Sequence, residues 1–176
     1  MNNSWRKGIH FVIGCFFITL FNQTVSAEVK TGTFNISATV RAPTCSFSEA
    51  NKVVTLDDVN EMDFNDSSIH GEKEVKVALS CQYALFGNVV NLIPEGIADS
   101  VDSSAFQNTG TAKNIALRLQ DKDSNIVTPD KTTSIPVTVT NNEGSYTFKL
   151  GYVATTPGEV IGGTFTSTVI LSLKYE

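Results

Sequence analysis

Apolar residues recur at every second position in segment after segment of this chain, and no stretch carries a sustained helical repeat. A period of two places alternate side chains on one face of an extended strand, so the pattern dictates half-buried β-strands. Val75, Val77, Leu79 and Cys81 share one such face; Ile115, Leu117 and Leu119 share another, and Ile135, Val137 and Val139 a third. Tyr146, Phe148, Leu150, Tyr152 and Ala154 form a longer run, and Phe165, Ser167, Val169, Leu171, Leu173 and Tyr175 the last. Val53–Leu56 and Val89–Ile93 are shorter candidates. Turn-forming Asp, Asn, Ser, Gly and Pro separate the runs at 63–71, 121–125, 141–144 and 155–158. Seven or eight short strands at this spacing predict an all-β sandwich whose inner faces are these apolar phases. An antibody-type domain would bury a Trp against its disulfide, and the single Trp here is Trp5, far from such a site. The sandwich is therefore Ig-like at most.

The first 27 residues read as something other than fold. Arg6 and Lys7 precede an apolar run from Ile9 to Phe21, which is too short for the roughly 18 residues a membrane span needs. Val25-Ser26-Ala27 supplies small residues for cleavage, so residues 1–27 are predicted to be a secretory signal peptide, with a mature chain from Glu28. Val12-Ile13-Gly14-Cys15 has the look of a lipobox, but apolar sequence continues past Cys15, and no lipid anchor is expected. Without this segment, 11 basic residues face 18 acidic ones, a net charge of −7. An acidic chain without basic clusters argues against nucleic acid or an anionic membrane as partner. Two cysteines, Cys45 and Cys81, remain in a chain bound for an oxidising compartment, and they are read as one disulfide. Closing that 36-residue loop contributes about 3–4 kcal/mol in the chain-entropy account.

Four features together resemble the major and minor subunits of type 1-like fimbriae of the chaperone–usher family, over essentially the whole mature length. Gly32 to Val40 (GTFNISATV), followed by Pro43-Thr44-Cys45, is similar to their N-terminal extension and first strand. Cys81 closes a strand as their second cysteine does. Ile115 to Pro129 (IALRLQDKDSNIVTP) is similar to their strand-turn-strand. Tyr175 is penultimate and Gly163 stands fourteenth from the end, the most specific part of the likeness. The resemblance implies an incomplete Ig-like β-sandwich, the pilin fold, at 39–176, preceded by an N-terminal donor-strand extension at 28–38. It also implies partners: a periplasmic fimbrial chaperone, an outer-membrane usher, and neighbouring subunits. The implied destination is the cell-surface fimbrium, reached through the periplasm. The implied mechanism is β-strand addition, in which backbone hydrogen bonds give affinity and alternate side chains give register.

The resemblance assigns Gly32, Phe34, Ile36 and Ala38 to the donor strand, with Gly32 meeting a shallow point of the neighbour's groove. The alternative is an ordinary first strand pairing within its own domain, which alternation alone does not distinguish. It assigns Gly163, Phe165, Val169, Leu171, Leu173 and Tyr175 to the strand that lines the acceptor groove and meets the chaperone. No catalytic, cofactor or metal site is expected. His70 is the lone histidine after the leader, in a polar loop, and Asp57, Asp58, Asp63 and Asp66 lack the spacing of a calcium loop. No nucleophile elbow, P-loop or zinc-protease motif occurs. The competing reading is a self-contained secreted β-sandwich acting as a binding module or adhesin-type domain.

Overall fold

Most of the alternating runs pair as antiparallel strands, though of the last run, 165–175, only Ile170–Tyr175 is in a strand. The structure is a computed structural model describing residues 37–39, 41, 44–84 and 87–175. The proposed leader and Gly32, Phe34 and Ile36 lie outside the described residues, whereas Ala38 is described and exposed. Eight strands are present among the described residues: β1 (Thr44–Phe47), β2 (Ile69–Gln82), β3 (Asn88–Glu95), β4 (Ile115–Gln120), β5 (Ile126–Val127), β6 (Ile135–Val139), β7 (Glu143–Ala154) and β8 (Ile170–Tyr175). They form a five-stranded sheet in the order β1-β2-β7-β4-β5 and a three-stranded sheet in the order β6-β3-β8.

The predicted phases are those that meet between the sheets. Leu79 and Cys81 of β2, Leu117 and Leu119 of β4, Val137 and Val139 of β6 and Phe148 of β7 belong to one buried cluster. Burial of such side chains, each worth about 1.5–3 kcal/mol, is what drives the two layers together. The β6–β7 hairpin turns on Asn141 and Asn142, both at positive φ (53° and 64°), which is the twist-matched hairpin geometry that Asn tolerates. The Asp121–Asn125 turn is closed by the Asp121 carboxylate, whose Oδ1 accepts from the backbone N–H of Asp123 and of Asn125, each at 2.8 Å. Cys45 and Cys81 stand opposite each other on β1 and β2 and are disulfide-bonded.

Two segments depart from a simple alternating account. In β4 the residues between the core positions are buried as well: Ala116 is fully buried and Arg118 only 7 % exposed. The reason is a strap, residues 96–106, lying over the outer face of β4 and β7. Its Ala105 packs with Ala116 and Val153, and Phe106 exchanges backbone hydrogen bonds with Leu117 at 2.8 and 2.9 Å. Arg118 donates to Asp102 Oδ2 at 2.5 Å and to the Ser104 carbonyl at 3.0 Å. Val53–Leu56, a strand candidate by composition, is in no strand. It has β propensity without a neighbour.

Candidate functional site

The segment Val53–Leu56, which has no strand partner among the described residues, borders a large cavity. Between that segment and residues 162–171 runs an elongated cavity of about 1110 Å³. Ordinary small-ligand pockets hold about 300–1,000 Å³, so this space suits a segment of polypeptide at least as well as a metabolite. Its floor is core: Val75 and Val77 of β2, Leu117 and Leu119 of β4, and Phe148, Leu150 and Tyr152 of β7. Its banks are the two extended segments. Val54 and Leu56 turn inward on one bank, while Val53 is 92 % exposed. On the other bank Phe165, Ser167, Val169 and Leu171 are half-buried and the residues between them exposed.

Backbone pairing shows why this bank holds its shape and yet stays open on one side. Thr166 O accepts from Thr109 N at 2.7 Å and Thr164 O from Ala112 N at 3.0 Å. Thr166 N donates to Asn108 Oδ1 at 2.9 Å, and Thr164 N to Thr111 Oγ1 at 2.8 Å. These bonds all use alternate residues facing the 108–112 loop. No backbone hydrogen bond joins Phe165 or Ser167 to another described residue. Extended backbone presents its N–H and C=O groups to alternate sides, so the remaining groups face the cavity. Such an edge is a template for another strand. Ser167 Oγ is likewise buried without a hydrogen-bond partner.

Charged residues line the cavity too, Lys52, Asp58 and Glu61 among them. Asp58 and Glu61 line it near Gly162, and Glu61 Oε2 accepts from Gly162 N at 2.7 Å. Glu61 is placed by a single 3-10 turn, Glu61–Asp63, capped by the Asn60 side chain. Burial, together with the negative charges of Asp58 and Asp57, raises the Tyr152 hydroxyl above its ordinary value. The Tyr152 ring meets Phe165 edge-on, with centroids 4.8 Å apart.

Of the residues assigned to the groove strand from sequence, Gly163, Phe165, Val169 and Leu171 line the cavity; Leu173 and Tyr175 do not. Leu173 packs against the core opposite Leu92 of β3. Tyr175 is committed elsewhere: its hydroxyl accepts from Cys45 N at 2.7 Å and donates to Cys45 O at 2.9 Å, tying β8 across to the disulfide strand. Gly163 is required for a packing reason. A Cβ there would lie 2.6 Å from Ala112 N and 2.7 Å from Thr111 Oγ1, so only glycine lets the bank lie against the 108–112 loop. The Val53–Leu56 bank was missed as part of the site, although an apolar β-prone run with nothing to pair it is the signal that finds it. His70 packs edge-on against Phe64 and contacts Ser68 and Asp66.

A family model described as "Fimbrial protein" matches residues 23–176. The chain belongs to the fimbrial protein family. It is a structural pilus subunit rather than an enzyme, and its place is the cell-surface fimbrium. Among solved structures, this fimbrial protein is similar to an antigen and type I fimbria protein of Burkholderia pseudomallei, with 25 % identity and a TM-score of 0.55, over 74 % of this chain and 88 % of that one. It shares its fold with the P pilus rod subunit PapA, at 18 % identity and a TM-score of 0.63, over 75 % and 99 % of the two chains. A subunit from a chaperone–usher pilus gives a TM-score of 0.61 at 14 % identity, over 86 % and 99 %. A search of curated protein sequences finds no match.

Proposed function

We propose that this fimbrial subunit polymerises by donor-strand exchange, its groove accepting first a strand of a periplasmic chaperone and then the N-terminal segment, residues 28–38, of the next subunit. The outer-membrane usher would be where the exchange takes place. One observation carries the reading: a largely apolar cavity of about 1110 Å³ opens onto the core between two extended banks that are not paired with each other. A strand laid there supplies backbone partners to both banks and apolar side chains to the floor, which is the logic of strand addition. A self-contained binding module has no need of a core left open along its length. The alternation of Gly32, Phe34, Ile36 and Ala38 gives the donor segment one apolar face to present. The test is deletion of residues 28–38, with chaperone–subunit complex in the periplasm and fibres at the surface measured separately. Loss of fibres with retention of the chaperone complex supports the proposal; fibres assembled normally by the deleted chain would refute it.

A further inference from the structure

We infer that Asn65 is an acceptor for N-linked glycosylation: its side-chain amide takes an oligosaccharide from a polyprenyl-pyrophosphate donor during export.

The sequence carries the first half of the argument. Asn65-Asp66-Ser67 is an Asn-x-Ser triplet without proline in the middle, the acceptor pattern of exported chains. The hydroxyl of the third residue lets a transferring enzyme hold the triplet while the amide reacts. Four such triplets occur in the chain, beginning at Asn2, Asn22, Asn35 and Asn65. Asn2 and Asn22 fall in the predicted signal peptide, and Asn35 lies outside the described residues. Asn65 alone has an acidic residue two places ahead, Asp63, which is the extended form of the signal that bacterial enzymes read. The matching positions before Asn22 and Asn35 are Leu20 and Thr33.

The structure carries the second half. Glu61–Asp63 is a single 3-10 turn capped by Asn60, whose Oδ1 accepts from Met62 N at 2.9 Å. Phe64 then turns inward, 1 % exposed, and its carbonyl accepts from Gly158 N at 2.8 Å. With Phe64 pinned and β2 starting at Ile69, the residues between have no core to join, and Asn65, Asp66, Ser67 and Ser68 are all exposed. They stand on a surface loop, where an enzyme reaches backbone and side chain together. None of the four lines the large groove, so the attachment point lies outside it.

The chemistry closes without disturbing the sandwich. Nδ2 of Asn65 attacks the anomeric carbon of the first sugar. A carbon–nitrogen bond forms, and the bond from that carbon to the pyrophosphate oxygen breaks. Polyprenyl pyrophosphate leaves with the bonding electrons, and one amide proton is lost to solvent. Before transfer Nδ2 donates to Met62 O at 2.9 Å on the exposed surface. Such a bond exchanges readily for water, so the amide can turn out towards the enzyme. The product amide keeps one N–H with which to donate. Asn65 N donates to Asp63 O at 3.1 Å and Ser68 N to Asp66 Oδ1 at 2.8 Å, both within the loop. Opening them leaves the β2–β7 ladder, which begins at Ile69, in place.

The test expresses the full-length chain with its assembly partners in cells that make a polyprenyl-pyrophosphate-linked oligosaccharide of known mass and the periplasmic oligosaccharyltransferase that uses it. Intact mass spectrometry of the exported chain should show a gain of one oligosaccharide, and peptide sequencing should place it on Asn65. Asn65→Gln and Ser67→Ala should each lose the added mass, whereas Ser67→Thr should keep it. Asp63→Ala should lose most of it. Parallel cells without the transferase give the yield of every variant, so poor folding is read as low yield and not as missing sugar. A chain that stays unmodified while a control acceptor in the same cells is glycosylated overturns the proposal. So does sugar that persists in Asn65→Gln or survives Ser67→Ala undiminished, and undiminished sugar in Asp63→Ala removes Asp63 from the signal.

Discussion

Asp102 shows how one side chain fixes a segment whose own sequence has no strand character. Burial by itself would raise its carboxyl, but hydrogen bonds from the Ser104 side chain and backbone, with the Arg118 guanidinium beside it, outweigh burial and hold it below the ordinary value of 3.8. A lowered folded value means stability that is present above the unfolded carboxylate range and lost as pH falls through the folded value. Asp102→Asn should therefore lower the urea midpoint at neutral pH, and the gap from wild type should narrow as the pH falls below the ordinary carboxylate value of 3.8. Asp102→Ala goes further, because it leaves Arg118 buried without its counter-charge, and should cost about 3 kcal/mol in denaturant titration. Tyr175 is a second residue with a defined task. Tyr175→Phe keeps the ring and removes both hydrogen bonds to Cys45, a loss of about 1–2 kcal/mol readable as a lower melting temperature. The penultimate tyrosine was legible in the sequence as a family mark; its partner was not, because a hydroxyl bonded to backbone 130 positions away leaves no local pattern.

At the scale of the element, the last strand does two jobs. Its outer part pairs with β3, and the segment before it forms a bank of the groove. Leu171 belongs to both, so Leu171→Asp places a carboxylate among apolar neighbours at a cost of several kcal/mol, comparable with a domain's whole stability. The expected result is no soluble chaperone complex in periplasmic extracts. Gly163→Ala tests the bank alone: the added methyl must push residues 111–112 away, and a cost of about 1–3 kcal/mol should appear in the denaturant midpoint. Period-two patterning located β2, β4, β6, β7 and β8 because each buries a face against the same core. It did not reveal the strap at 96–106, which is held by Arg118, Phe106 and Ala105 through contacts distant in sequence. Nor did it show that Val53–Leu56 goes unpaired, since propensity reports what a segment can do and not whether a neighbour is present.

For the whole molecule, folding and assembly should separate cleanly. If Gly32 belongs to a segment donated to the next subunit, Gly32→Leu should leave chaperone complex at wild-type levels while surface fibres fail; normal fibres from this variant would remove Gly32 from the donor strand. The opposed ends of the groove carry a further consequence, which is mechanical. Each subunit's β1 begins beside Tyr175, at the end of β8 away from Gly162. If a neighbour's strand fills the groove along its length, tension on the fibre would pull that strand lengthwise against residues 162–171 and Val53–Leu56. Its backbone hydrogen bonds would then be loaded together, in shear, instead of being peeled open one after another from an end, and the joint would resist pulling with its full length.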